Sequence, residues 1–141
     1  MKEIAAVVND RLKNLNKLCR RILKDFDAHA IHEFRVEVKK IRAVVRLAAE
    51  EKDIEHPLIP ALLKNFYRCT GVIRNIQLHE INLFKYITEN SVEQPEEYIR
   101  MLSDEETCWK NEAVELMNGN NLQEKIKSIQ EKLPDNIDNQ Q

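Results

Sequence analysis

The chain has 141 residues, a length that suits one domain with a substantial core and is too short for two independent domains. Two glycines, four prolines, 33% charged residues and 6% aromatic residues are typical of long amphipathic helices and argue against a sheet. The net charge of -2 conceals an asymmetry, because residues 1–86 carry 17 Lys and Arg against 11 Asp and Glu, whereas residues 87–141 carry 5 against 13.

Two amphipathic helices are predicted in the first third of the chain. In residues 3–26, apolar residues recur at steps of three and four, as on one face of a helix. The pattern changes phase at Asp27, which can cap a second helix from about Ala28 to about Glu51. The predicted core positions are Ile4, Val7, Val8, Leu15, Leu18, Cys19, Ile22 and Phe26 in the first helix, and Phe34, Val38, Ile41, Val45 and Ala48 in the second.

The third predicted helix is the longest. Pro57 and Pro60 fit only the first turn of a helix, so this helix is predicted to begin near Pro57 and to continue to about Glu89. Its predicted core positions are Leu63, Phe66, Ile73, Phe84 and Ile87.

A fourth helix is predicted from about Pro95 to Asn118, followed by a short helical segment at residues 122–133. Short connections between long helices favour antiparallel neighbours. Residues 1–133 are therefore expected to form one all-α domain, an antiparallel four-helix bundle with a short C-terminal helix. Residues 134–141 are expected to be a polar, disordered tail.

Basic side chains follow one stripe on each of the first three helices. On the second helix they lie within an arc of roughly 80°, and no acid interrupts them. The third stripe contains Gly71, which leaves the backbone open to close approach. The basic residues are Lys13, Lys17, Arg20 and Lys24 on the first helix, His32, Arg35, Lys39, Arg42 and Arg46 on the second, and Lys64, Arg68 and Arg74 on the third, with Asn75, His79 and Asn82 beside them.

One basic stripe by itself is usually a solvated face, but three of them favour a binding surface. Solvated faces mix charge signs through pairs three or four residues apart, whereas Glu33 and Glu37 lie only on the flank of the second stripe. Like charges at this spacing repel and need an external counter-charge. Arg and Lys side chains bind phosphate oxygens and release counterions when they do, so the stripes predict a surface for phosphate polyanions.

Two segments resemble the paired signatures of a known family. Residues 32–42 read HEFRVEVKKIR and residues 71–75 read GVIRN. In order and spacing they resemble the CHAD family, the conserved histidine α-helical domains, whose members carry a histidine, Arg-Val three residues on, a basic pair, Leu or Ile before Arg, and later Gly-x-x-Arg-Asp. Asn75 departs from the last position of that pattern. An amide accepts a hydrogen bond but brings no charge to orient a neighbouring arginine.

The resemblance implies a helical bundle whose basic surface binds inorganic polyphosphate. Some family members are fused to triphosphate-handling enzymes and others are associated with polyphosphate granules. The chain spans only one four-helix half of a domain that commonly contains two, so a homodimer is expected to recreate the pair. The residues that match the motif are His32, Arg35, Lys39, Lys40, Arg42 and Arg74, which Arg46, Lys64 and Arg68 extend along the same faces.

No catalysis, metal or cofactor is expected. His29 and His32 lack the HxxxH or HExxH spacing of metal sites. The chain also lacks a nucleophile signature and a Gly-rich phosphate loop. The acids of the fourth helix are predicted to form a solvated face: Glu96, Glu97, Asp104, Glu105 and Glu106.

Two other functions use the same charges. A nucleic-acid binder would use the same phosphate contacts, although the pI of about 6.1 and the absence of aromatics between the basic residues, apart from Tyr67, count against it. A structural or adaptor bundle would self-associate through its basic and acidic parts.

The cysteines predict a reducing, cytoplasmic compartment. Cys19, Cys69 and Cys108 lie far apart, without a CxxC pair, and are predicted to be buried as small apolar residues. The apolar run at residues 4–8 is too short for a signal peptide or a membrane span.

Overall fold

The computed structural model describes residues 2–51, 60–118, 124, 125 and 127. Every element within these ranges is an α-helix: α1 (Lys2–Asp25), α2 (Ala28–Glu51), α3 (Ala61–Asn90) and α4 (Glu96–Asn118). The all-α prediction is therefore confirmed. The short helix predicted at 122–133 lies outside the described residues except at the three helical positions 124, 125 and 127, and the tail predicted at 134–141 lies wholly outside them.

The turn between α1 and α2 follows the predicted capping. After Asp25, Phe26 takes a left-handed backbone conformation (φ 52°) and buries its ring. The Oδ2 atom of Asp27 then accepts a hydrogen bond from the backbone N–H of Ala30 at 3.1 Å, satisfying a free donor in the first turn of α2. The N-cap predicted at Asp27 is confirmed.

The other helix ends agree with the prediction at all but one place. α3 begins at Ala61 and not near Pro57, because Pro60 has an extended backbone (φ -56°, ψ 144°) and precedes the helix; Pro57 itself lies outside the described residues. α3 ends where Ser91 takes a left-handed conformation. α4 follows directly after Pro95.

The core lies mainly between α1, α2 and α3, with a contribution from α4. α1 packs on α2, α2 on α3, and α3 on α4. Phe34 and Phe66 are fully buried and meet edge to face, with ring centroids 5.3 Å apart. None of the described helices is long and apolar enough to cross a membrane.

Two of the predicted core residues are exposed instead. Val7 is 44% exposed because its neighbour Val8 takes the core position in that turn of α1. Phe84 is 48% exposed because it lies beyond the level of the α1–α2 turn, where the side chain of Gln77 donates a hydrogen bond to the Phe26 carbonyl. The side chains of Ile4 and Ala48 lie outside the described set. The remaining predicted core positions are buried: Val8, Leu15, Leu18, Cys19, Ile22, Phe26, Phe34, Val38, Ile41, Val45, Leu63, Phe66, Ile73 and Ile87.

Candidate functional site

Arg35 is the basic residue most firmly fixed against a neighbouring helix. It is half-buried on α2, and its Nη1 atom donates to the backbone carbonyl of Tyr67 on α3 at 2.5 Å and, more distantly, to Thr70 Oγ1 at 3.4 Å. The Thr70 hydroxyl donates to the same Tyr67 carbonyl at 2.8 Å. Among the described residues, the other guanidinium nitrogens of Arg35 have no hydrogen-bond partner. Arg35 is therefore held in place while part of its donor set stays free.

Gly71 makes room for that guanidinium. A Cβ atom built on Gly71 would lie 2.6 Å from Arg35 Nη1 and 3.0 Å from Arg35 Cζ, too close for a real contact. The open backbone predicted at Gly71 is therefore used, and the group that approaches it is the chain's own arginine. This arrangement explains why a residue without a side chain stands at this position inside a helix, where glycine otherwise costs stability.

Tyr67 forms an aromatic platform beneath two arginines. Its ring lies 3.9 Å from Arg35 Cζ and 5.4 Å from Arg42 Cζ, both within cation–π range. The ring also packs against Phe34, with centroids 6.5 Å apart. The core thus supports the two arginines through one tyrosine, whose supporting role the sequence analysis missed.

His32 and Arg74 meet at one end of the same seam between α2 and α3. Both line a pocket of about 280 Å³. His32 is exposed and Arg74 is half-buried, so the pocket opens at the surface. Its other lining residues are Ala28, His29, Gln77, Leu78 and Ile81.

Glu33 and Glu37 of α2 face α1, on the side away from the basic stripe. Glu37, of which 6% is exposed, accepts a hydrogen bond from Arg11 Nη1 at 3.2 Å. Glu33 lies 3.4 Å from Arg21 Nη1 and 2.7 Å from His29 Nε2. The two acids that flank the basic stripe in sequence are therefore committed to other partners. Among the described side chains, no carboxylate lies within 4 Å of the predicted basic residues of α2: His32, Arg35, Lys39, Lys40, Arg42 and Arg46.

Several of the predicted site residues lie apart from this seam. The Arg68 guanidinium is 5.8 Å from the Trp109 ring and lines a pocket of about 380 Å³ between α3 and α4. His79 is hydrogen-bonded to the Tyr98 hydroxyl of α4. Asn75 is exposed. Five further basic residues are exposed and make no ion pair or side-chain hydrogen bond within the described ranges: Lys13, Lys17, Arg20, Lys24 and Lys64.

Two glutamates form a carboxyl pair across α3 and α4 that the sequence analysis missed. Burial raises the pKa of Glu80 to about 7, together with the hydrogen bond that its protonated form donates to the Glu106 carboxylate. The pKa of Glu106 is lowered despite its burial, because it is hydrogen-bonded to Glu80 and to Lys110, whose Nζ lies 3.1 Å away. The prediction that Glu106 belongs to a solvated face was wrong, since its carboxylate is partly buried against α3. Between the ordinary carboxyl pKa and about 7, the pair therefore holds one proton, which resides on Glu80 while Glu106 is ionised.

No family model, curated protein or solved structure matches the chain.

The cysteines divide into two kinds. Cys19 and Cys69 are buried, as predicted, and burial raises the pKa of the Cys19 thiol to about 12, which suppresses the nucleophilic thiolate. Cys108 is exposed, contrary to the prediction, because it lines the mouth of the pocket between α3 and α4.

Among the described residues, no three His, Cys, Asp or Glu side chains are grouped so that they could hold a metal ion. The chemistry offered by the α2–α3 seam is binding of anions by guanidinium and imidazole groups.

Proposed function

We propose that this chain binds inorganic polyphosphate, or a similar chain of phosphates, along the seam between α2 and α3 and does not transform it. The observation that supports this proposal is the cluster of Arg35, Arg42 and Arg74 at the seam without a carboxylate partner among the described side chains. Glu33 and Glu37, the acids beside this stripe, pair with α1 on the other side of α2, so the positive charge of the seam is available to a ligand.

The shape of the seam favours an extended anion over a single phosphate group. The stripe from His32 to Arg46 covers about 21 Å of helix at 1.5 Å per residue. Arg35 is positioned by Tyr67 and retains donors for a bidentate contact with phosphate oxygens. Lys39, Lys40 and Arg46 would add mobile charges along the stripe. Lys64 and Arg68 lie at the margin of the stripe, and the exposed basic residues of α1 would contribute only diffuse attraction.

The proposal includes an arrangement and a location. The contacts pair the end of α1 with the start of α2, as in Arg21 with Glu33, and the start of α2 with the second half of α3, as in Ala28 with Ile81, so we take the helices to form an antiparallel bundle. The cysteines are free, which fits a reducing cytoplasm that contains polyphosphate granules. A homodimer is also part of the proposal.

The experiment compares two charge-matched double variants by calorimetric titration with polyphosphate of defined length. Lys39→Ala with Arg42→Ala removes two contacts of the seam, each worth about 1.5–3 kcal/mol as a charge-assisted hydrogen bond, so we expect at least a roughly tenfold loss of affinity. Arg20→Ala with Lys24→Ala removes the same charge from α1 and should change the affinity less than about twofold. All four residues are exposed, so circular dichroism should show unchanged folding. Equal losses in both variants would contradict a defined site.

A second titration tests the geometry at Arg35. Arg35→Lys retains the charge but loses the planar fork, so affinity should fall even though the net charge is constant.

Competition with duplex DNA distinguishes the polyphosphate proposal from a nucleic-acid binder. If duplex DNA displaces polyphosphate when both are present at the same concentration of phosphate units, the result would favour a nucleic-acid binder.

A further inference from the structure

The second half of α3 and the first half of α4 carry a concentration of exposed apolar side chains, here called the hairpin patch. Of the nine large apolar side chains that are exposed in the described part of the chain, seven lie in this region. Leu78, Ile81 and Phe84 share one face of α3 at steps of three residues, and they are between 45% and 59% exposed. The other four lie around the hairpin and its tip, and Tyr86, two residues after Phe84, projects from a different side of α3: Tyr86, Val92, Tyr98 and Met101.

This patch continues the face of α3 that forms the core nearer its start. Phe66 and Ile73 are fully buried against the core, and Gln77 reaches the Phe26 carbonyl at the α1–α2 turn. Ile81 still borders the first turn of α2, in the pocket that Ala28 lines. Along this part of its length α3 contacts α4, as the hydrogen bond between His79 and the Tyr98 hydroxyl shows. Apolar surface of this extent in one place marks an interaction site more often than chance exposure.

We infer that the hairpin patch is a docking surface for a second copy of this chain, related to the first by a twofold axis near Ile81. A twofold interface places one patch against the same patch of the partner, so Leu78, Ile81 and Phe84 would pack on their equivalents. Their burial would supply the attraction, because each is a large apolar side chain now facing solvent.

Charge complementarity within one chain favours a second copy over a different protein. The tip of the hairpin is acidic and exposed, with Glu89, Glu93, Glu96 and Glu97, whereas the α2–α3 seam below Ile81 is basic. If the twofold axis passes near Ile81, the two copies of α3 run antiparallel across the interface. A residue that follows Ile81 in one copy then lies beside a residue that precedes Ile81 by a similar distance in the other copy. Glu89 lies eight residues, about 12 Å, beyond Ile81 and Arg74 lies seven residues before it, so the Glu89 side chain would come close to that of Arg74 in the other copy.

The alternative occupant is residues 119–141 of the same chain, which would have to run back along the bundle to reach the hairpin patch. α4 ends at Asn118, and Leu116 lines the same pocket as Asn65 near the start of α3. The segment after Asn118 thus begins at the end of α3 opposite the hairpin tip. Reaching Phe84 from there requires about 30 Å along the bundle.

The experiment measures the mass of the full chain in solution by light scattering and sedimentation over about 1–200 µM, the range in which a patch of this size gives weak, salt-sensitive association. We expect a concentration-dependent dimer. Ile81→Glu should shift the dimer dissociation constant upward by at least about tenfold. The matched control is Leu47→Glu, since Leu47 is 62% exposed on α2, away from the patch, and this change should leave the dimer intact.

A charge-reversal pair tests the orientation of the two copies. Glu89→Arg and Arg74→Glu should each weaken the dimer, and the two changes combined should restore it, because they exchange the signs of facing groups. A chain that stays monomeric throughout the range, as it would if its own C-terminal segment or another protein covered the patch, overturns the inference. Equal effects of Ile81→Glu and Leu47→Glu, or no restoration by the combined reversal, also overturn it. This inference specifies the homodimer proposed above. The association is measured without polyphosphate, because Arg74 and the pocket that Ile81 shares with His32 belong to both the proposed phosphate site and the proposed dimer contact.

Discussion

Arg35 determines how far the candidate site is preformed. An arginine on a helix surface normally samples many rotamers, and ordering it on binding costs free energy. Here the guanidinium is already positioned by the Tyr67 carbonyl, by the Tyr67 ring and by the space above Gly71. The position of one glycine therefore controls the orientation of one arginine, and the two can be separated experimentally.

We predict that Gly71→Ala lowers polyphosphate affinity without unfolding the chain. The added Cβ would displace the end of the flexible Arg35 side chain, which can move away. Alanine also gains about 1 kcal/mol of helix propensity over glycine, which offsets the hydrogen bond that is lost. We expect the free energy of unfolding, measured with urea, to stay within about 1 kcal/mol of the wild type, whereas the affinity falls roughly fivefold. An unchanged affinity in calorimetry would contradict the role assigned to Arg35.

At the scale of elements, the helices were predictable and their contacts were not. Apolar spacing and caps indicate where α1, α2 and α4 lie, because those signals are local. Pro57 and Pro60 are both compatible with a first turn, so the start of α3 was misplaced. Periodicity also places Arg35 on a polar arc, but it does not tell which neighbouring helix borders that arc. The Tyr67 platform depends on that neighbour.

The interface between α3 and α4 shows more clearly that contacts between helices could not be predicted from the sequence. Glu106 lies among the acids of α4, and in sequence nothing distinguishes it from exposed Glu105. Its pairing with Glu80 depends on two helices packing in one register, which brings the carboxyls together beside Lys110. The interface thereby gains a group that titrates near neutral pH.

We predict that the free energy of unfolding decreases as pH rises from about 4.5 to about 7. Glu80 titrates near 7 in the folded chain but close to 4.5 when unfolded, so between these values the folded state holds a proton that the unfolded state has lost. The lowered pKa of Glu106 acts in the opposite direction, and its contribution is lost only when pH falls below the ordinary value. Raising the pH from about 4.5 to about 7 should therefore lower the free energy of unfolding by about 1 kcal/mol, allowing for solvent screening at a partly exposed site, and the loss should level off above 7.

Glu80→Gln is the variant that tests the pair. The amide can still donate to Glu106 but carries no charge at any pH, so the decrease in stability should disappear and the variant should be the more stable protein at alkaline pH. Urea unfolding at several pH values measures this. Glu105→Gln, which changes an exposed neighbour, is the control and should retain the wild-type profile. Parallel pH profiles for the wild type and Glu80→Gln would refute the proton held by the pair.

For the whole molecule, the separation of charge along the chain matters more than its sum. The net charge is -2, so at long range the electrostatic field of the whole chain is expected to repel polyanions. The acids, however, are concentrated after residue 86, while the basic residues of α2 lie on a seam whose nearest acids are paired with α1. Binding of a polyanion to such a chain must come from local contacts, and these are screened by salt over about 8–10 Å.

We predict that polyphosphate raises the Tm of the full chain at low salt and that this rise diminishes as salt is added. A ligand that binds only the folded seam stabilises the fold by mass action, by about 2.7 kcal/mol at a concentration of 100 times the Kd. Each neutralised phosphate releases counterions, so the affinity falls linearly with salt on logarithmic axes, with a slope set by the number of contacts. Thermal unfolding followed by circular dichroism measures the Tm, and titrations at several salt concentrations give the slope. The double variant Lys39→Ala/Arg42→Ala should have a shallower slope, by the amount expected for the loss of about two phosphate contacts. The double variant Arg20→Ala/Lys24→Ala should have the wild-type slope. A Tm that polyphosphate does not raise at low salt would exclude the proposed function, even for a chain that forms the dimer.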